Sequence, residues 1–104
     1  MAINNTNAIS TKLGLDVAST YIRLEIYLGT GKEAQIGFHA YANKDAYLTG
    51  DSMINNVLDF DMSNYAVEIL VASDVNLDNL HDLAIAELGE RGLDMAKLAK
   101  ADLA

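Results

Sequence analysis

Two alternating runs separated by a glycine-rich break constrain this chain more than any other feature. Over residues 21–28, Ile22, Leu24, Ile26 and Leu28 hold one parity, and Tyr21, Arg23, Glu25 and Tyr27 hold the other. Successive side chains of a strand point to opposite faces, so this period of two specifies a strand with one buried face. Gly29-Thr30-Gly31-Lys32 then interrupts the pattern with two residues that tolerate positive φ, the mark of a hairpin turn. A second run follows, with Ala34, Ile36, Phe38, Ala40 and Ala42 on one parity and Gln35, Gly37, His39 and Tyr41 on the other. A one-residue slip would flip a whole strand to the wrong face, so the register is fixed by setting apolar against apolar. Leu28 then opposes Ala34, Ile26 opposes Ile36, Leu24 opposes Phe38 and Ile22 opposes Ala40. On the other face Tyr27 meets Gln35, Arg23 meets His39 and Tyr21 meets Tyr41.

The rest of the chain is read around that hairpin. Residues 1–18 are small and polar, with Ile3, Ile9, Leu13 and Leu15 scattered among Asn, Thr and Ser, and are expected to form an extended arm or a short irregular strand that orders only when docked. Asn43 has the side chain of a helix cap and Gly50 sits where a short helix would stop, with Ala46 and Tyr47 facing inward. Residues 54–62 alternate once more, Ile54, Leu58, Phe60 and Met62 inward, and are expected to be a third strand with Asn56 as a misfit. Residues 65–72 are almost continuously apolar and favour a fourth strand, although periodicity alone leaves a helix open. From Asn76, a plausible cap, the spacing becomes helical: Leu77, Leu80, Ala84 and Leu88 form one stripe, widened by Leu83. Gly89 and Gly92 would end or bend that helix. A second helical stretch is expected over 93–103, with Leu93, Ala96 and Leu103 on one side, the alternative being a frayed end. Strands followed by helices imply an α+β fold: one domain over 1–104, an antiparallel β-meander of about four strands containing the 20–42 hairpin, with the helical segment 76–104 packed on one face.

Composition narrows the function classes. The chain carries 15 acidic and 7 basic residues, so its formal charge is 7 − 15 = −8, which opposes direct contact with nucleic acid phosphates. No run approaches the roughly 20 apolar residues of a membrane-spanning helix, and the first residues lack the basic and apolar regions of a secretory signal, so no membrane partner is expected. Without cysteine there are no disulfides, zinc thiolates or thiol nucleophiles, a composition that suits a reducing compartment.

Chemistry has few footholds. His39 and His81, the two imidazoles, fall on different elements, and both are expected to be solvated instead of metal ligands. Asp59 and Asp61 on one strand face would lie about 7 Å apart and are expected to be a solubilising pair. The 29–32 segment lacks the full phosphate-loop spacing, and no serine lies in a nucleophile elbow. No catalytic residue, cofactor or metal site is therefore expected. Tyr21, Tyr27 and Tyr41, with Arg23 and His39 between them, project from the polar face of the hairpin. Tyrosine is favoured at interfaces because it contributes large area at low entropic cost, so these five residues are the candidate protein interface; the equal alternative is that cross-strand packing of Tyr21 on Tyr41 serves only to stabilise the sheet.

The order of elements also resembles a family. Ala2-Ile3, then Gly14-Leu15 ahead of Ala18-Ser19-Thr20-Tyr21-Ile22-Arg23-Leu24, the Gly31-Lys32 turn, the segment Tyr41-Ala42-Asn43-Lys44-Asp45-Ala46-Tyr47-Leu48-Thr49-Gly50 and a helix near Leu88 are similar to small virion- or tail-associated proteins of tailed bacteriophages. The extension 93–104 has no counterpart in that pattern, and the likeness brings no catalytic motif. It implies a structural or accessory role in virion or tail assembly, with other virion proteins or further copies of itself as partners, and location in the virion after synthesis in the host cytoplasm. The competing expectation is a small acidic inhibitor or DNA mimic that occupies a basic groove of a host protein. Such a mimic calls for carboxylates in a linear array, whereas Asp45, Asp51, Asp59, Asp61, Asp74, Asp78, Asp82, Glu87 and Glu90 are spread over several elements.

Overall fold

The alternating hairpin forms in the register that its apolar parity dictates. In a computed structural model that describes residues 2–28, 33–68 and 77–101, strands β4 (Thr20–Leu28) and β5 (Glu33–Tyr41) pair antiparallel. Ile22 pairs with Ala40, Leu24 with Phe38, Ile26 with Ile36 and Leu28 with Ala34, while Tyr21 opposes Tyr41, Arg23 opposes His39 and Tyr27 opposes Gln35. The turn at 29–32 lies outside the described residues.

This hairpin is the centre of a five-stranded antiparallel sheet; one flanking strand lies within the expected 65–72 segment, and the other two come from unexpected places. Strand β1 (Ala2–Asn5) lies between β4 and β7 (Leu98–Ala101), and β6 (Tyr65–Glu68) takes the far edge, giving the order β6-β5-β4-β1-β7. The N-terminal segment is thus an interior strand, not an arm. Its parity explains why: Ile3 pairs with Ile22 and is fully buried, and Asn5, also fully buried, is satisfied by side-chain bonds. Asn5 Nδ2 donates to Thr20 Oγ1 at 3.0 Å and to the Asn7 carbonyl at 3.1 Å, while its Oδ1 accepts from Asn7 N and Nδ2, each at 2.9 Å. Asn7 in turn exchanges bonds with the Asp94 backbone, donating to its carbonyl at 3.1 Å and accepting from its N–H at 2.9 Å. Buried amides are tolerated when their donors and acceptors are paired, and this network ties the first strand to the last.

The end of the chain also departs from expectation. After helix α2 (Leu77–Glu90), Gly92 adopts φ +119°. Leu93 N–H donates to the Leu88 carbonyl and Gly92 N–H to that of Gly89, each at 3.1 Å, the six-to-one and five-to-two bonds of a Schellman stop. Beyond it lie a 3₁₀ turn (Met95–Lys97), capped by Asp94, and then β7 rather than a second helix. Sheet pairing with β1 outweighs the helical propensity of this alanine- and lysine-rich stretch. Asn76, 69–72 and Leu103 lie outside the described residues. A short helix α1 (Lys44–Leu48) behaves as read: Asn43 Oδ1 accepts from Ala46 N at 2.7 Å, and Gly50 at φ +82° ends it.

Segment 54–62 is not a strand. It is a turn and an irregular crossing that nonetheless buries Leu58 and Met62 and half-buries Ile54 and Phe60, the expected inward set. Its ladder role falls to a side chain: Asn55 Oδ1 accepts from Ala40 N at 2.7 Å and Asn55 Nδ2 donates to the Phe38 carbonyl, while Ile54 N donates to the Ala40 carbonyl at 2.8 Å. The outward backbone groups of β5 beyond the reach of β6 are thereby satisfied. The core forms where Ile3, Ile22, Phe38, Ala40 and Leu98 of the sheet meet Ala84 and Leu88 of α2, with Ile9, Leu58 and Met62 closing one end. Leu80 is buried as expected, but Leu83 is half exposed and His81 is buried, at 2% exposure. His81 lies three residues before the buried Ala84 and four before the partly buried Ile85, so helical spacing places it beside the buried stripe.

Candidate functional site

The polar face of the central hairpin is where the sequence places its interface. Helix α1 folds back over one end of that face and brings Tyr47 onto it. The Tyr47 ring lies 5.9 Å from that of Tyr21 and 5.1 Å from that of Tyr41, edge-on to the latter, with the Arg23 guanidinium 4.6 Å above it. Tyr21 is only 2% exposed and Tyr41 and Arg23 are partly covered. These three side chains therefore pack within the chain, in contacts of the kind worth about 0.5–1.5 kcal/mol per aromatic pair. Tyr27, at the other end of the strand, is 49% exposed, and His39 is partly exposed. Of the five residues, Tyr27 offers most area to a partner.

A more prominent surface stands on a feature the sequence reading passed over. A two-stranded hairpin of β2 (Ile9–Ser10) and β3 (Asp16–Val17) carries Leu13 and Leu15 at its tip, 81% and 70% exposed. The tip is built, not loose. Thr11 N donates to the Leu15 carbonyl at 2.8 Å, Gly14 at φ +82° donates to the Thr11 carbonyl, and Thr11 Oγ1 accepts from Leu15 N. It is also sewn to the body: Thr11 bridges Leu58, Lys12 N donates to the Val57 carbonyl at 2.9 Å, and Asp59 N donates to the Ser10 carbonyl at 2.7 Å. Val57, itself 38% exposed, adds to the apolar patch. A pair of leucines flanking a glycine within polar surroundings was the only sequence signal for it.

Beside the tip runs an open groove of about 550 Å³, with Phe60 above the buried Leu58 and Met62 and with Lys12, Asp59 and Asp61 on its margin. Asp61 on that margin is held by Arg91. That side chain, only 10% exposed, donates from Nη1 to the Asp61 carbonyl at 2.9 Å and from Nε to Glu87 at 3.2 Å, and its guanidinium lies 5.2 Å from the Phe38 ring. Phe38 stacks on Tyr65 at 5.6 Å. Burial, reinforced by the Glu87 charge and opposed by Arg91, pushes the Tyr65 hydroxyl up to about 12. Hydrogen bonds from Ser63 hold the Asp61 carboxyl below its ordinary value, with Arg91 adding a lesser pull. Among the described residues no three His, Asp or Glu side chains converge as a metal site would require, and Asp59 and Asp61 share the groove margin as exposed carboxylates. On the opposite side of the molecule Lys100 binds Asp78 at 2.7 Å and Asp82 at 2.9 Å, hydrogen bonds that raise its pKa and tie β7 to α2.

Comparison with protein families, with curated proteins and with solved structures finds no match for this chain.

Proposed function

We propose that the chain is a non-enzymatic structural or accessory protein of a bacteriophage virion or tail that works through contacts with other proteins or with further copies of itself. The observation that carries this reading is the β2–β3 tip, where two leucines are 81% and 70% exposed on a rigidly bonded projection. Isolated surface leucines are ordinary, but a contiguous apolar projection rimmed by polar residues is the mark of a contact site. Because its hydrogen bonds already hold it in place, little ordering entropy opposes docking. Sheet geometry supports the same reading: β7 is paired on one side by β1, and its outer edge is unpaired among the described residues. The likeness to small virion proteins supplies the setting. Against the acidic-mimic reading, Asp78 and Asp82 are engaged by Lys100 and Glu87 by Arg91, so these carboxylates are already spent on internal pairs.

The native mass, measured by light scattering after size exclusion at low and high salt, tests the proposal. A discrete, salt-resistant oligomer is expected. A monomer at every concentration and salt would overturn self-assembly and move the acidic-mimic reading ahead.

A further inference from the structure

The leucine tip and the groove lie side by side on one face, and their chemistries are complementary. The tip presents Leu13, Leu15 and the cationic Lys12; the groove presents Phe60 and the amides of Asn55 and Asn56 over the buried Leu58 and Met62, with the carboxylates of Asp59 and Asp61 on its margin. Lys12 makes no ion pair within the chain among the described residues, although it lines the same groove as those carboxylates.

We propose that two copies associate about a two-fold axis, the Leu13 and Leu15 tip of each seated in the groove of the other, with Lys12 of one copy against Asp59 of its mate. The proposal deepens the assembly reading and rests on it.

Three features select a second copy over other occupants. A patch that carries a projection and its receptacle next to each other is self-complementary, which is what an isologous interface requires. The charges are complementary in the same sense, since each copy brings one cation on its tip and two anions on its groove margin. A neutral lipid surface offers no carboxylate to Lys12, whereas a second copy does; because each copy carries −8, the dimer should tighten as salt rises towards about 0.1 M and screens that repulsion. The tip is held by backbone bonds to Val57, Leu58 and Asp59, so knob and groove move as one body and docking distorts neither. Each copy contributes one tip and one groove, fewer side chains than the roughly 20–30 per partner of a standard interface, so the dimer should be concentration-dependent, not permanent.

Sedimentation equilibrium from about 5 µM to about 1 mM, a range that brackets weak association, reads the outcome. The wild-type mass should climb from 11.2 kDa towards twice that value and stop there. Leu13→Asp with Leu15→Asp should stay monomeric throughout with an unchanged thermal midpoint, because both side chains are exposed. Lys12→Glu and Asp59→Lys should each weaken the dimer roughly tenfold, since the two-fold axis counts every rim pair twice. Combined in one chain, they should restore it. The charge-swapped pair keeps the proposal testable should the leucine variant misfold. A wild-type oligomer unmoved by the leucine and charge variants overturns this interface and leaves the assembly reading standing. A wild-type monomer throughout overturns this interface and self-assembly with it. Growth beyond a dimer, or loss of neutral phosphatidylcholine vesicle binding on substitution of the leucines, also overturns the interface, by making the contact open-ended or the tip a lipid anchor.

Discussion

Asn5 and Asn55 have side chains that a sequence reading sends to the surface, yet both complete backbone bonding inside the fold. Nothing in the residue type reveals this, because an asparagine amide is worth burying only when its partners are brought to it from positions far along the chain. For Asn55 those partners are Ala40 N–H and the Phe38 carbonyl, 15 and 17 residues away. Asn55→Ala should therefore cost about 1–3 kcal/mol in urea unfolding, the penalty of orphaned backbone groups, while Asn56→Ala on the exposed neighbour should change stability by less than about 0.5 kcal/mol. Equal effects at the two positions would contradict the bridging role. Tyr65 makes the converse case, a hydroxyl buried without a hydrogen-bond partner among the described residues. Tyr65→Phe removes that unpaired group while keeping the stack on Phe38, so its midpoint at neutral pH should rise. The alkaline limb should change as well. The folded chain holds the Tyr65 proton up to about 12 while an unfolded tyrosine releases it near 10. Between those values the native state binds more protons than the unfolded state, so stability is full below pH 10 and is lost as pH rises towards 12. That loss should be smaller in the phenylalanine variant. An identical alkaline limb in the two proteins would remove Tyr65 from the account.

At the scale of elements, local periodicity was a sufficient guide only where it was strict. The 20–42 hairpin, the Asn43 cap, the Gly50 stop and the apolar stripe of α2 were legible because each is decided by neighbours within a few residues. Strands β1 and β7 were not, since β7 pairs with β1, nearly the whole chain apart, and β1 is held between β7 and β4. The polar character of β1 reads as an arm until Asn5 is seen to be satisfied by Asn7 and Thr20. The alanine content of 93–103 likewise reads as helix until β1 offers an edge. Segment 54–62 keeps the expected inward residues without being a strand, because burial selects side chains and not backbone hydrogen bonds. The candidate contact surface was legible only in part: Tyr27 is exposed as expected, but the cover that α1 lays over Tyr21 is a tertiary event, and so is the bonding of the leucine tip to residues 57–59. The element that separates the two views most sharply is β1. An arm could be trimmed at no cost, whereas an interior strand could not. Ile3→Ala should cost about 2–5 kcal/mol as a core truncation, and removal of residues 1–6 should abolish cooperative unfolding because β7 loses its only partner strand among the described residues. A truncated chain with a wild-type urea transition would restore the arm.

The whole molecule sets a contest between local ion pairs and the field of the net charge. Lys100 with Asp78 and Asp82, and Arg91 with Glu87, are attractive contacts of under 4 Å, and salt weakens them. The remaining acids repel one another across a body of 42 × 28 × 25 Å that carries −8. At about 0.01 M ionic strength the screening length is about 30 Å, so charges on opposite sides of the molecule still interact. At about 0.1 M it is about 10 Å, and only neighbours do. Raising salt over that range thus removes most of the long-range repulsion while leaving contacts at 2.7 to 3.2 Å largely in place. Repulsion should be the larger quantity removed, because the pairs at Lys100 are exposed and such pairs contribute little. The thermal midpoint is therefore expected to rise between about 0.01 and about 0.1 M sodium chloride at neutral pH, and to rise less in Asp45→Asn with Asp51→Asn, which lowers the net charge by two without touching an ion pair. A midpoint that falls with salt would mean that the lysine and arginine pairs outweigh the field, and the Lys100→Ala variant would then lose that salt dependence.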